Sequence, residues 1–128
     1  MAQSSIKSLD QALEQKLQFK ENQTTMGSLS VYQEFEVAFD KEMNRAYSEL
    51  MKGLKGDRKL AFKRSQSAWL KFRDAQFEAF DAITDRQEFG SGQAPIIAMN
   101  RMKIVRQRAV QLASFTNGLW GPEGEFIE

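Results

Sequence analysis

The sequence predicts an all-α domain. Apolar residues recur at steps of three, four and seven along four stretches, the two long stretches 31–52 and 57–83 contain neither Gly nor Pro, and glycines punctuate the gaps between them. At 128 residues the chain has the length of one domain and buries roughly two-thirds of its unfolded surface without staples.

The first helix is expected over about 5–19, where Ile6, Leu9, Leu13 and Leu17 form one stripe, Ser4 or Ser5 offers an N-cap and Asp10 lies near the first turn. Residues 20–25 are a polar connection, and Thr24 or Thr25 can cap the second helix, about 26–54. Its stripe reads Leu29, Tyr32, Phe35, Phe39, Met43, Ala46, Tyr47, Leu50, Met51 and Leu54. Gly53 and Gly56 then break the chain, and Asp57 can cap the third helix, about 57–83. There Phe62, Trp69, Phe72, Phe80 and Ile83 fall mostly on one face, with Arg73 on or beside it. The stretch 84–93 is a loop by composition, with Phe89 its only apolar side chain. Pro95 suits the first turn of a last helix, about 95–116, stopped near Asn117-Gly118. A turn-rich tail, 118–128, carries Trp120. The resulting architecture is a long antiparallel hairpin of the second and third helices with flanking helices, a three- to four-helix bundle.

In such a hairpin, facing residues have numbers with a nearly constant sum. Asp40 with Arg73, Asn44 with Trp69, and Tyr47 with Gln66 share one, and their spacings put each set on one stripe. This predicts a polar seam in which Asp40 accepts from Arg73, Asn44 approaches the Trp69 ring and Gln66 reaches the Tyr47 hydroxyl. Its structural meaning is register. Its functional meaning is a small cleft with Arg73 as a carboxylate or phosphate fork. Charge is uneven along the chain. Glu34, Glu36, Asp40, Glu42 and Glu49 enrich the second helix in acid and the third answers with bases, as paired neighbours would. The last helix holds Arg101, Lys103, Arg106 and Arg108 with no acid between Pro95 and Asn117, a candidate patch for an acidic partner alongside its reading as a solvated face.

The chain has no cysteine, which excludes disulfides, thiolate metal sites and cysteine nucleophiles. It has no histidine, which removes the commonest general base and zinc ligand. No metal-ligand cluster, Gly-rich phosphate cradle or convergent acid/base pair is present, so no metal, no cofactor and no catalytic residue is expected. A net charge of +1 gives no global field for nucleic acid. The start lacks a basic n-region and an apolar h-region and no long apolar run follows, so neither a signal peptide nor a transmembrane segment is expected in this sequence. Either the protein is cytoplasmic, or Ala2-Gln3-Ser4-Ser5 is what a signal peptidase leaves behind.

The run Gln66-x-Ala68-Trp69-Leu70-x-Phe72-Arg73-Asp74-Ala75 resembles the lysozyme inhibitor LprI-like domain family of bacteria. Asp40-x-x-Met43-Asn44-x-x-Tyr47-x-x-Leu50 before it, and Gly90-Ser-Gly92 and Ile104-Val105-x-x-Arg108-x-x-x-Leu112 after it, fit the same pattern. The likeness spans about residues 8–113. It implies a non-enzymatic cell-envelope binding protein, periplasmic or secreted in its mature form, and a lysozyme inhibitor by the family's name. The alternative is an envelope interaction or structural domain with another protein partner and no lysozyme activity. The chain departs from the family in lacking its usual paired cysteines and in having Val105 where Thr is common. Animal-type lysozymes are basic with a carboxylate-flanked cleft. Candidate contacts are therefore the acidic second helix, the loop with Phe89, and the tail around Trp120. Arg101 and Arg108 are the candidate contacts for a different, acidic partner.

Overall fold

The computed structural model describes residues 2–84 and 91–119. Four helices carry the fold: α1 (Ala2–Gln18), α2 (Thr25–Gly53), α3 (Gly56–Ile83) and α4 (Ala94–Leu119), with short 3-10 turns at Lys20–Asn22 and Ser91–Gln93 and no strand among the described residues. The architecture is the expected all-α bundle.

Helix ends follow local chemistry. Thr24 caps α2, its hydroxyl accepting from the Gly27 amide at 2.9 Å. Asn22 closes the preceding turn by donating its side-chain amide to the Lys16 carbonyl at 2.9 Å. Gly27 is required here. A Cβ at that position would lie 2.5 Å from the Glu21 carbonyl oxygen and 2.7 Å from the Asn22 Cα, so the α1–α2 turn rests directly on the first turn of α2. Between α2 and α3 only Leu54 and Lys55 intervene. Gly56 takes a φ of 58°, the left-handed value glycine tolerates. The expected caps at Ser4, Ser5 and Asp57 are not used. α1 already runs through the serines, and Lys55 takes the N-cap position of α3, leaving Asp57 in its first turn.

The helices alternate in direction. Glu36 meets Arg101 and Phe39 meets Arg106, so α2 and α4 run parallel. Lys16 meets Glu34 near one end of α1, and Ser5 meets Arg45 near the other, so α1 is antiparallel to α2. Phe62 on Phe115 and Phe77 under Arg101 set α3 antiparallel to α4. Most of the core lies between the two parallel helices: Phe39, Met43, Ala46 and Leu50 of α2 with Val105, Ala109, Leu112 and Ala113 of α4, all between 0 and 2% exposed.

The closest partner of α2 is thus α4 rather than α3, and side-chain size explains it. Ala98, Ala109 and Ala113 let the α4 backbone approach, whereas α3 faces inward with Phe62, Trp69, Arg73 and Phe77, whose bulk holds it further out. Within α3 only Gln66 is buried. The apolar stripe expected there divides: Phe62 and Trp69 pack on the core, joined by Phe77, which the expected stripe left out; Phe80 is half-buried, and Phe72 and Ile83 are 51% and 61% exposed. α1 covers one groove of the α2/α4 pair and α3 the other.

Candidate functional site

The groove under α3 holds an alternating column of cations and rings. The guanidinium carbon of Arg108 lies 5.9 Å from the Trp69 ring centroid, and that of Arg73 lies 5.7 Å from Trp69 and 6.0 Å from Phe77. Arg101 closes the series 4.1 Å over Phe77. Helical spacing produces this column: Trp69, Arg73 and Phe77 are successive steps of four on α3, and Arg101 and Arg108 are a step of seven on α4.

The three arginines meet different counter-groups. Arg101 Nε donates to Glu36 Oε1 at 3.1 Å. Arg73 pairs with Asp74 on its own helix at 3.0 Å and with Asp40 across the groove at 3.7 Å, so the predicted Asp40–Arg73 juxtaposition exists as a long ion pair. Arg108, 7% exposed, has no carboxylate partner among the described residues. Its Nε donates to Gln66 Oε1 at 2.9 Å, Nη2 to Ser65 Oγ at 3.2 Å, and Nη1 to Gln111 Oε1. Burial lowers the pKa of this guanidinium.

The other seam residues fall elsewhere than the constant-sum pairing places them. Gln66 turns to Arg108 and to Met43 Sδ, 3.8 Å away, rather than to the Tyr47 hydroxyl. Asn44 is exposed and donates to Asp40 Oδ2 at 3.2 Å, and Tyr47 packs at the edge of the core. The reason is that α4 supplies a cation at the level of Gln66, and a buried charge takes precedence over a phenol for the amide oxygen. Arg108 is therefore an interior residue and not a surface contact for an acidic partner. Arg101 is half-buried and engaged with Glu36 and Phe77.

Four of the five acids of α2 meet cations in the same way. Glu34 meets Lys16 of α1, Glu36 meets Arg101 of α4, Asp40 meets Arg73 of α3 and Glu42 meets Arg45 of α2 itself. Acid–base matching is thus spread over three neighbours instead of being confined to a pairing of α2 with α3. Glu42 is 7% exposed and its Oε2 has no donor among the described residues.

The open feature lies at the end of the bundle where α2 and α4 begin and α3 finishes. A cleft of about 940 Å³ separates the three, walled by Met26, Leu29, Val37 and Ile97 and bordered by Asp81 and the Glu36–Arg101 pair. Thr84 and Gln93, the near anchors of the α3–α4 connection, also line it. Phe89 and Trp120 lie outside the described residues. Among the described residues no acidic cluster could hold a metal ion, and no helix is long and apolar enough to cross a membrane.

A family model described as lysozyme inhibitor LprI matches residues 18–112. The chain belongs to that family. Every member of the cation–aromatic column falls inside the matched LprI segment, as does the whole of the described cleft lining, while nearly all of α1 precedes it. No curated protein and no solved structure matches the chain significantly.

Proposed function

We propose that this LprI-family chain is a non-enzymatic binding protein of the bacterial cell envelope that blocks a lysozyme-type glycan hydrolase, acting in the periplasm or after secretion. Family membership over residues 18–112 is the observation that carries this reading. The distribution of charge supports a contact that is not simply an acidic face on a basic enzyme, because four acids of α2 already have internal cations. What stays open among the described residues is the apolar cleft.

The alternative, an envelope interaction domain for a different protein without lysozyme activity, draws on the same open end. Its basic contact on the last helix is narrowed, since Arg101, Arg106 and Arg108 also serve neighbouring helices, while Lys103 is exposed.

The test is calorimetric titration against hen-type lysozyme at physiological salt, with cell-wall lysis followed in parallel. Binding at about micromolar Kd or tighter, with lysis suppressed, is the expected result. Undiminished lysis and no heat would leave the interaction-domain reading. Phe89→Ala and Trp120→Ala then test those two contacts, each expected to weaken the complex if it inserts into the enzyme.

A further inference from the structure

Exposed apolar side chains are not scattered evenly over this molecule. Phe19, Met26, Val37, Ile83 and Ile96, five of the eight large hydrophobics exposed among the described residues, lie at the end where α1 and α3 finish and α2 and α4 begin, or line the cleft there. Met26 and Val37, on the cleft wall itself, are 70% and 56% exposed. Side chains so placed are unusual unless something covers them.

The charges around the cleft select what that is. Glu36 and Arg101 neutralise each other at 3.1 Å. Asp81 on the cleft rim has no such partner among the described residues, and Glu78 precedes it by one turn on the same side of α3. No cation occurs in α3 after Arg73 and none lies in its last turn, so the carbonyl end of the helix adds to the negative rim. The cleft is thus apolar inside and acidic at its α3 edge.

We infer that this cleft is the docking site for a basic protein partner, taking a segment in which a large apolar side chain sits beside a Lys or Arg: the apolar group enters between Met26, Leu29, Val37 and Ile97, and the cation meets Asp81. This rests on the proposed inhibition of lysozyme, a basic enzyme, and names the surface through which it occurs. A lipid chain would fill the apolar walls but leave Asp81 without a counter-charge. A second copy of this chain is the competing occupant, decided by the test.

Two single variants of the whole chain address exposed positions, so the fold is kept: Val37→Glu in the wall and Asp81→Lys on the rim. Each is titrated with hen-type lysozyme at low and physiological salt, beside sedimentation of the protein alone. The expected result is a loss of about tenfold or more in affinity for each, with Asp81→Lys also flattening the salt dependence. Tight binding by the parent and undiminished binding by both variants would overturn the cleft assignment while leaving lysozyme inhibition intact. No binding by the parent would overturn both. Self-association of the parent that Val37→Glu abolishes, with lysozyme binding unchanged, would give the cleft to a second copy.

Discussion

α1 and α3 dock on opposite grooves of the same α2/α4 pair, and they are held by different physics. α1 inserts Ile6 and packs Leu9, Leu13 and Leu17 on the core, then matches charge with charge. Asp10 accepts from Arg106 Nε at 2.8 Å and Nη2 at 2.6 Å, and Lys16 meets Glu34 at 2.7 Å. α3 buries one residue, the amide Gln66, offers ring faces to cations of α4 and sets Phe62 against Phe115. Two arginines two positions apart on α4 register the difference. Arg106 faces α1, where its hydrogen bond to Asp10 raises its pKa against the opposing effect of burial; Arg108 faces α3, where burial lowers it. A helix can therefore be fixed by opposite charges at a half-open seam, or by a desolvated cation whose partners are all neutral.

The largest expected effect comes from breaking the second arrangement. Gln66→Leu leaves the buried Arg108 without its Nε acceptor and should cost about 3 kcal/mol in urea unfolding. Adding Arg108→Met should recover most of that loss, because an apolar pair of similar size needs no acceptor. A double variant as unstable as the single would show that the column, not the buried charge, sets the cost.

On the α1 side, Gly27→Ala drives a methyl group into the backbone of the connecting turn and should cost about 1–3 kcal/mol, with α1 loosened first in hydrogen exchange. Asp10→Asn removes a bidentate pair whose side chains are 35% and 38% exposed, so solvent screening limits the loss to about 0.5–1 kcal/mol. That loss should shrink in high salt, while the Gln66→Leu loss should not; equal salt sensitivity would erase the contrast between the seams.

The smallest effect is with pH. The raised pKa of Arg106 gives stability that is present below its unfolded value and lost only as pH rises through the folded one. The lowered pKa of Arg108 imposes a cost that is relieved as pH rises through its folded value. Both windows are strongly alkaline and the chain has no histidine, so unfolding free energy should hold within about 0.5 kcal/mol between about pH 6 and pH 9.

Periodicity made the four helices legible, because a helix leaves its period in the sequence. The constant-sum rule made the antiparallel course of α3 legible and brought Asp40 to Arg73. The partner of α2 was not legible from hydrophobicity alone: a stripe states that a face is buried, not which helix buries it. The usable signal was size, since Ala98, Ala109 and Ala113 share one face of α4 and permit close approach. Arg108 also left a trace, standing one residue before Ala109 in that apolar face with no acid anywhere on its helix, which points to a neutral acceptor elsewhere. The cleft left none. It arises where bulky residues of α3 hold that helix away from α2, and its walls belong to three distant segments.

The parallel alignment of α2 with α4 also governs when the core can exist. Glu36 and Arg101 are 65 residues apart in sequence, and the interface they belong to holds most of the buried apolar side chains. Within the intervening stretch α3 buries only Gln66, so a growing chain that has presented only α1, α2 and α3 can pack α1 on α2 but lacks the α4 half of the core. Completion of the core waits for the last quarter of the polypeptide.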